Sequence, residues 1–436
     1  MRSLIVLLAV LLGGCVGAPA PETAASRTPT ELFAQRYPLT TQQRATTSAD
    51  IYLGNLDARI EVLDAQLQNA GNSDVRGNLA GALLLRFRIL GRVADGERAL
   101  LLAGQAAAAT NATAEVHLVH AAALSAFHEF AAADRALAQA REAGASAQSL
   151  ASLQRDLWMA QGQYDRLHED FAHSGEPVAD FYELAHRADL RLMQGDLDGA
   201  SRWYRTAQDF YPDVDPLPLA WLYSQQGIAL LRHGHYAQAK QFFAAAHSRL
   251  PQYYLATEHL AECETQLGNL DRARELYRAV IAQTGNPEFI AALAELEDQA
   301  GNTELAAAGR QDAHTGYRAL LARHRAAYAQ HAAEFLLDSG QPAEALILAR
   351  ENLVLRQDVG SLILMAQAAA AAGEHTEACA AAARATATGL NPPELADIGP
   401  LSAACAARAE PVGRNGWRLD ESITTQIALT KHSVGH

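Results

Sequence analysis

The sequence has 436 residues, which is enough for several ordinary domains or for one long repetitive structure. Hydrophobic residues make up 49% and aromatic residues only 6%, which together with the heavy use of alanine favours closely packed helices over a β-rich core. The formal net charge of −14 excludes the basic surface that binding to nucleic acid or anionic lipid requires.

The chain begins with one arginine, a short apolar run and small residues before a cysteine, in the order MRSLIVLLAVLLGGC. This run is too short for a mature membrane-spanning helix and is typical of a secretory signal. Leu12-Gly13-Gly14-Cys15 resembles the lipobox of bacterial lipoproteins. The resemblance implies that a signal peptide of residues 1–14 is removed and that Cys15 is acylated. The alternative is an ordinary signal peptide in which the cysteine is incidental.

The acylated Cys15 would attach the protein to a membrane without inserting a helix. The residue after the cysteine is Val16 and not aspartate, as in lipoproteins sent to the outer membrane. The resemblance therefore implies an outer-membrane protein facing the periplasm. Residues 15–44 are rich in proline, alanine, serine and threonine and are predicted to form a flexible linker. A first helix is predicted at about residues 47–69.

A short motif then recurs over residues 148–390: glycine, a polar residue, usually an apolar or ring-bearing residue, two polar residues and usually alanine. Successive motif glycines are 33, 39, 34, 33, 39 and 33 residues apart, and a period near 34 indicates a solenoid. Glycine can adopt a positive φ, so each is predicted to end one helix before the next begins. The glycines are Gly162, Gly195, Gly234, Gly268, Gly301, Gly340 and Gly373.

The best copy begins near Ala220 and resembles the tetratricopeptide repeat family, whose units are antiparallel helix pairs. The residues on the family's signature spacing are Tyr223, Gly227, Leu230, Gly234, Tyr236, Ala239, Phe243, Ala246 and Pro251. The resemblance implies an all-α, right-handed superhelical solenoid that binds protein or peptide partners. It is strong over residues 148–390 and weaker over 45–147, where His128 occupies the glycine position. Residues 391–408 are predicted to form a capping helix, and 409–436 a tail without repeat register.

In this family the ninth position of each first helix faces a concave groove where peptides dock. The corresponding residues here are Asp156, Asp189, Ile228, Glu262, Glu295 and Glu334. A row of carboxylates favours a basic peptide or protein partner, and Tyr182 and Trp221 are expected to add apolar anchors. A solvated acidic face and ordinary packing between repeats remain the alternatives.

Few residues suggest chemistry. His259 and Cys263 are four apart and could share a helix face as base and thiol or as metal ligands, but no third ligand has a diagnostic spacing. We therefore predict a tethered scaffold in the cell envelope with no catalysis, metal, cofactor or small-molecule substrate. An envelope enzyme or metal-binding protein using His259 and Cys263, and a self-associating structural solenoid, are the alternatives.

Two further cysteines, Cys379 and Cys405, lie on consecutive predicted helices near the C-terminal end of the sequence. An oxidising envelope would permit a disulfide between them. Two buried free thiols are the alternative.

Overall fold

The computed structural model describes residues 45–70, 72–173 and 180–408. The predicted signal peptide, lipobox and linker, and the predicted tail, lie outside these ranges. The described residues form nineteen α-helices and one 3-10 helix, without a β-strand. None of these helices has the length and apolar character needed to cross a membrane.

The helices follow one another with short turns. The bounds in the first half of the chain are α1 Ala49–Ala70, α2 Ser73–Leu90, α3 Val93–Ala107, α4 Ala114–Ala126, α5 Phe130–Glu142, α6 Ala147–Gln161, α7 Tyr164–His173, α8 Phe181–Met193, α9 Leu197–Phe210 and α10 Pro216–Arg232. Those in the second half are α11 Tyr236–Arg249, α12 Tyr254–Gln266, α13 Leu270–Thr284, α14 Pro287–Gln299, α15 Thr303–Asp338, α16 Pro342–Leu355, α17 Val359–Ala371, α18 His375–Ala387, the 3-10 helix Pro393–Ile398 and α19 Gly399–Arg408.

Consecutive helices pack as antiparallel pairs, and the predicted all-α, right-handed superhelical solenoid is confirmed. The pairs approach closely at six of the seven motif glycines, where the alanine that follows the glycine is almost completely buried. These residues are Ala200, Ala239, Ala273, Ala306, Ala345 and Ala378, each at most 1% exposed. A methyl side chain at this position leaves room for the neighbouring helix, whereas a larger one would separate the pair.

The seven motif glycines all have left-handed backbone conformations, with φ between +72° and +82°. This is the conformation that ends a helix and is least costly for glycine. His128 takes the same conformation, with φ of +58°, at the position where the repeat spacing had placed a histidine instead of glycine. It is the only non-glycine residue with positive φ in the described part of the chain, so a helix-ending turn lies where the repeat spacing predicted one.

Two elements depart from a regular helix pair. The helix that follows Gly301 continues into the next helix as α15, with a kink at His324, where φ is −138° and ψ is +58°. The predicted capping helix starts instead as the 3-10 helix, and α19 begins anew at Gly399. Pro400 explains the break, because proline lacks the N–H that a continuous helix needs and is tolerated only in a first turn.

A disulfide joins Cys379 of α18 to Cys405 of α19. The two Cα atoms are 5.6 Å apart and the cysteines are separated by 26 residues. The bridge ties α19 to α18, the second helix of the last repeat among the described residues.

The solenoid coils until early and late repeats touch, along a line of contacts that we call the seam. Backbone hydrogen bonds cross it from Gln357 N–H to the Gln161 carbonyl (3.1 Å) and from Asn391 N–H to the Met193 carbonyl (2.8 Å). Side chains cross it too: Arg232 donates two hydrogen bonds to the Glu394 carboxylate (2.6 and 2.5 Å), 162 residues away. The coil therefore has an enclosed interior.

Gly162 lies at the seam and serves two purposes. Its φ of +72° ends α6, and a Cβ atom placed on it would lie 2.5 Å from the backbone nitrogen of Asp358. By contrast, Gly268 has nearly the same φ of +78°, but no atom lies within 4 Å of a Cβ placed there. Substitutions at the two glycines can therefore distinguish the free-energy cost of the left-handed turn, which both share, from the cost of a steric clash at the seam, which only Gly162 has.

We predict that Gly162→Ala destabilises the protein more than Gly268→Ala. The left-handed conformation should cost each variant about 1–2 kcal/mol, and the clash with the Asp358 backbone should add a further ~1–3 kcal/mol for Gly162→Ala. Chemical denaturation followed by circular dichroism measures both. Equal losses in the two variants would contradict the close packing at the seam.

Candidate functional site

The predicted acid row divides into an inaccessible part and an accessible part. Asp156 is 5% exposed, and its carboxylate accepts a hydrogen bond from His186 Nε2 at 2.8 Å. Asp189 accepts one from the Tyr204 hydroxyl, and burial raises the Asp189 pKa to about 6. The expectation that Asp156 faces a partner is therefore corrected, because its carboxylate is buried against His186 of the next repeat. Asp189 is half-buried, and its role in partner binding stays a prediction.

Tyr182 and Trp221 are also interior. They are 5% and 4% exposed and form an aromatic cluster with Phe181, whose ring is 4.9 Å from that of Tyr182 and 6.2 Å from that of Trp221. The prediction that they are anchors open to a docking partner is corrected, because the same rings are needed to fill the core between repeats.

Glu262 belongs to a cluster with Glu258 and His259 on α12. The His259 Nδ1 atom lies 2.9 Å from a Glu258 oxygen and 3.4 Å from a Glu262 oxygen. Burial lowers the His259 pKa, but the two carboxylates outweigh it and raise the pKa overall. A protonated imidazole between two carboxylates explains the cluster, although the same three groups lie within 4.8 Å of one another and could hold a metal ion.

Cys263 does not complete a catalytic pair with His259. Its thiol is fully buried, and burial raises its pKa well above the ordinary value, with the neighbouring Glu262 and Glu258 adding to the shift. A thiolate is the reactive form of cysteine, so this environment disfavours the nucleophile that the alternative enzyme hypothesis requires.

Glu295 and Glu334 lie in a groove of about 340 Å³ between α14 and α15. We call it the acidic groove, and its five carboxylates belong to Glu288, Glu295, Asp298, Glu334 and Asp338. The basic groups on its walls are Arg310 and His331. Arg310 lies 3.5 Å from Asp298, and His331 lies 3.6 Å from Glu288 and 3.5 Å from Glu334. The acidic groove therefore carries excess negative charge.

The carboxylates of the acidic groove repel one another, which contributes to the raised pKa values of three of them. Burial raises the pKa of Glu288, Glu295 and Asp338, and neighbouring carboxylates add to the shift in each. Burial lowers the pKa of His331, but Glu288 and Glu334 outweigh it and raise the pKa to about 9. A bound cation would relieve the repulsion among these carboxylates. On a solvated acidic surface, water already weakens the repulsion, so a bound cation would relieve less.

The repeat register missed Glu288 and Asp338, although both line the acidic groove. Asp338 could have been found, because it lies four residues after Glu334 and so on the same helix face. Glu288 could not, because it occupies the first turn of α14, outside the ninth-position register, and reaches the groove through the superhelical arrangement.

Part of the chain matches a known repeat family. Residues 230–296 match the tetratricopeptide repeat family. The matched tetratricopeptide repeats include α11 to α13 and thus the Glu258–His259–Glu262 cluster, and they end just after Glu295. No catalytic family is indicated, and no curated protein matches the sequence.

Several solved structures are similar at low identity. The yeast Tom70 crystal structure is 15% identical, with 87% of this chain and 96% of that chain covered and a TM-score of 0.38. The P58(IPK) TPR domain is 14% identical, with coverages of 83% and 97% and a TM-score of 0.28. A tetratricopeptide repeat protein from Parabacteroides merdae is 17% identical, with coverages of 51% and 98% and a TM-score of 0.28. TM-scores this low carry no argument about function.

Proposed function

We propose that this protein is a non-catalytic scaffold whose tetratricopeptide repeats bind a cationic segment of a protein partner in the acidic groove. The observation that carries the proposal is the concentration of five carboxylates against one arginine and one histidine in a groove of about 340 Å³. Lysine and arginine side chains supply the opposite charge, and complementary potentials both speed encounter and select partners.

The acidic groove also has the shape and the apolar surface that peptide binding needs. The half-buried ring of Phe335 lines it, 5.2 Å from the buried ring of Tyr317. The Phe335 ring offers packing surface for the aliphatic stem of a lysine or arginine. Glu295 and Asp338 are exposed, so that a peptide can reach them without disturbing the core. An extended segment with two or three basic residues fits this combination.

We further propose that the scaffold is tethered to the cell envelope through an acylated Cys15, at the outer membrane facing the periplasm. The support is the lipobox-like Leu12-Gly13-Gly14-Cys15 and the proline-rich stretch that follows it, which would hold the folded body away from the bilayer. Tethering would raise the local concentration of the acidic groove near membrane-bound partners.

We predict that the double variant Glu295→Lys/Asp338→Lys binds a hexalysine peptide at least about tenfold more weakly than the unchanged protein, because two attractive charges become repulsive. Fluorescence anisotropy of a labelled peptide at moderate salt measures this. Binding should also weaken as pH falls, since carboxylates whose pKa values are raised are the first to be neutralised by protonation.

The matched control for each single substitution is Glu61→Lys, which makes the same charge change as Glu295→Lys or Asp338→Lys alone, at an exposed site on α1. It should leave hexalysine binding nearly unchanged. If Glu61→Lys and a groove substitution weaken binding equally, the peptide responds only to the net charge of the protein and the acidic groove is not the site.

We predict that Cys15→Ser abolishes membrane attachment without affecting the repeats. Because acyl chains attach to the cysteine thiol, the serine variant should incorporate no radiolabelled palmitate and should leave the membrane fraction, while its circular dichroism stays helical. A variant that still sediments with membranes would disprove the anchor while leaving the acidic groove untouched.

A further inference from the structure

A second cavity lies inside the coil, on the other side of the Glu288–His331 pair from the acidic groove. Its volume is about 130 Å³, and its walls come from α2 to α6, α10, α12, α14 and α15 and from the turns between them. The residues that line it run from Phe87 to His331 along the chain. We call it the Arg88 cavity, after the one arginine in its wall.

Arg88 has no hydrogen bond or ion pair within the described ranges, and its Nη2 atom is buried without a partner. Asp156 lies within electrostatic range, but its carboxylate is engaged by His186. A guanidinium keeps its charge in proteins, so leaving it buried without a counter-ion costs free energy. Buried charges are ordinarily paired, and this exception therefore requires an explanation.

Glu288 Oε1 and His331 Nδ1 in the wall also lack a hydrogen bond to any described residue, but they face each other at 3.6 Å as an ion pair. Two further wall residues carry buried donors without a partner among the residues described: Trp221 at Nε1 and Ser125 at Oγ. Indole N–H and guanidinium groups donate and never accept, and a hydroxyl can donate. A ligand that satisfies all three must offer several acceptor atoms. A carboxylate does so, with two oxygens and no hydrogen.

The charge of the cavity wall favours an anion. Burial lowers the pKa of His128 to about 3, so this histidine is neutral. His331, protonated at neutral pH, lies 3.6 Å from Glu288 and balances it. Arg88 is thus the one charged group of the wall without a close counter-charge in the described part of the chain. A single negative charge would compensate it.

The remaining wall is aromatic and apolar, with the rings of Phe87, Phe130 and Tyr328 among its members. An apolar cavity of about 150 Å³ in another protein holds one benzene molecule, so a cavity of about 130 Å³ fits a compact group of similar size. We propose that the Arg88 cavity binds a small organic carboxylate, with its carboxylate on Arg88, Trp221 and Ser125 and its apolar body against these rings. The proposal revises the expectation of no small-molecule ligand and is independent of the acidic groove.

The test uses benzoate as the probe and benzamide as its uncharged counterpart, with the full folded chain in isothermal titration calorimetry. Benzoate should bind with one site, and benzamide at least about tenfold more weakly. Arg88→Met should lose at least about tenfold in benzoate affinity, whereas Arg59→Met, an exposed arginine on α1, should bind as the unchanged protein does.

The melting temperature without ligand distinguishes a ligand-binding role of Arg88 from a structural role. Arg88→Met removes a buried charge that has no partner, so its melting temperature without ligand should equal or exceed that of the unchanged protein. A large loss of stability would instead make Arg88 a structural residue. Absence of saturable benzoate binding, equal binding of benzamide, or binding of inorganic phosphate in place of benzoate would each overturn the proposal.

Discussion

The contacts at the seam are the constraint on which the rest of the structure depends. Each repeat alone specifies only a helix pair and its packing on the next pair, so a linear array could remain an open spiral. The hydrogen bonds from Gln357 to Gln161 and from Asn391 to Met193, with the Arg232–Glu394 ion pair, close the spiral instead. Closure converts concave surface into interior, and this conversion decides which side chains can meet a partner.

The structure also contains two compartments of opposite preference. The acidic groove has excess carboxylates and suits a cation, whereas the Arg88 cavity has an uncompensated guanidinium and suits an anion. Glu288 and His331 line both.

The sequence specified the repeats well, because their signals are local. The motif glycines adopt the left-handed turn, the motif alanines are buried, and even His128 occupies the turn that its spacing predicted. The candidate site was predicted only in part. Glu295 and Glu334 line an accessible groove, but their role in binding stays a prediction. Asp156, Tyr182 and Trp221 are interior because the neighbouring repeat packs over them, which the register of a single repeat does not show. Arg88 belongs to no sequence motif, and only the three-dimensional structure shows that it lines a cavity.

Amide hydrogen exchange at the seam tests closure most directly. Gln357 and Asn391 lie outside helices and donate their N–H groups to carbonyls across the seam. In an open spiral these amides would face solvent and exchange at the rate of unstructured loops, whereas a closed coil should protect them as strongly as the amides of neighbouring helices. Strong protection at both residues is the result predicted for the closed coil. Rapid exchange at both, with the helices still protected, would contradict closure and with it the enclosed interior.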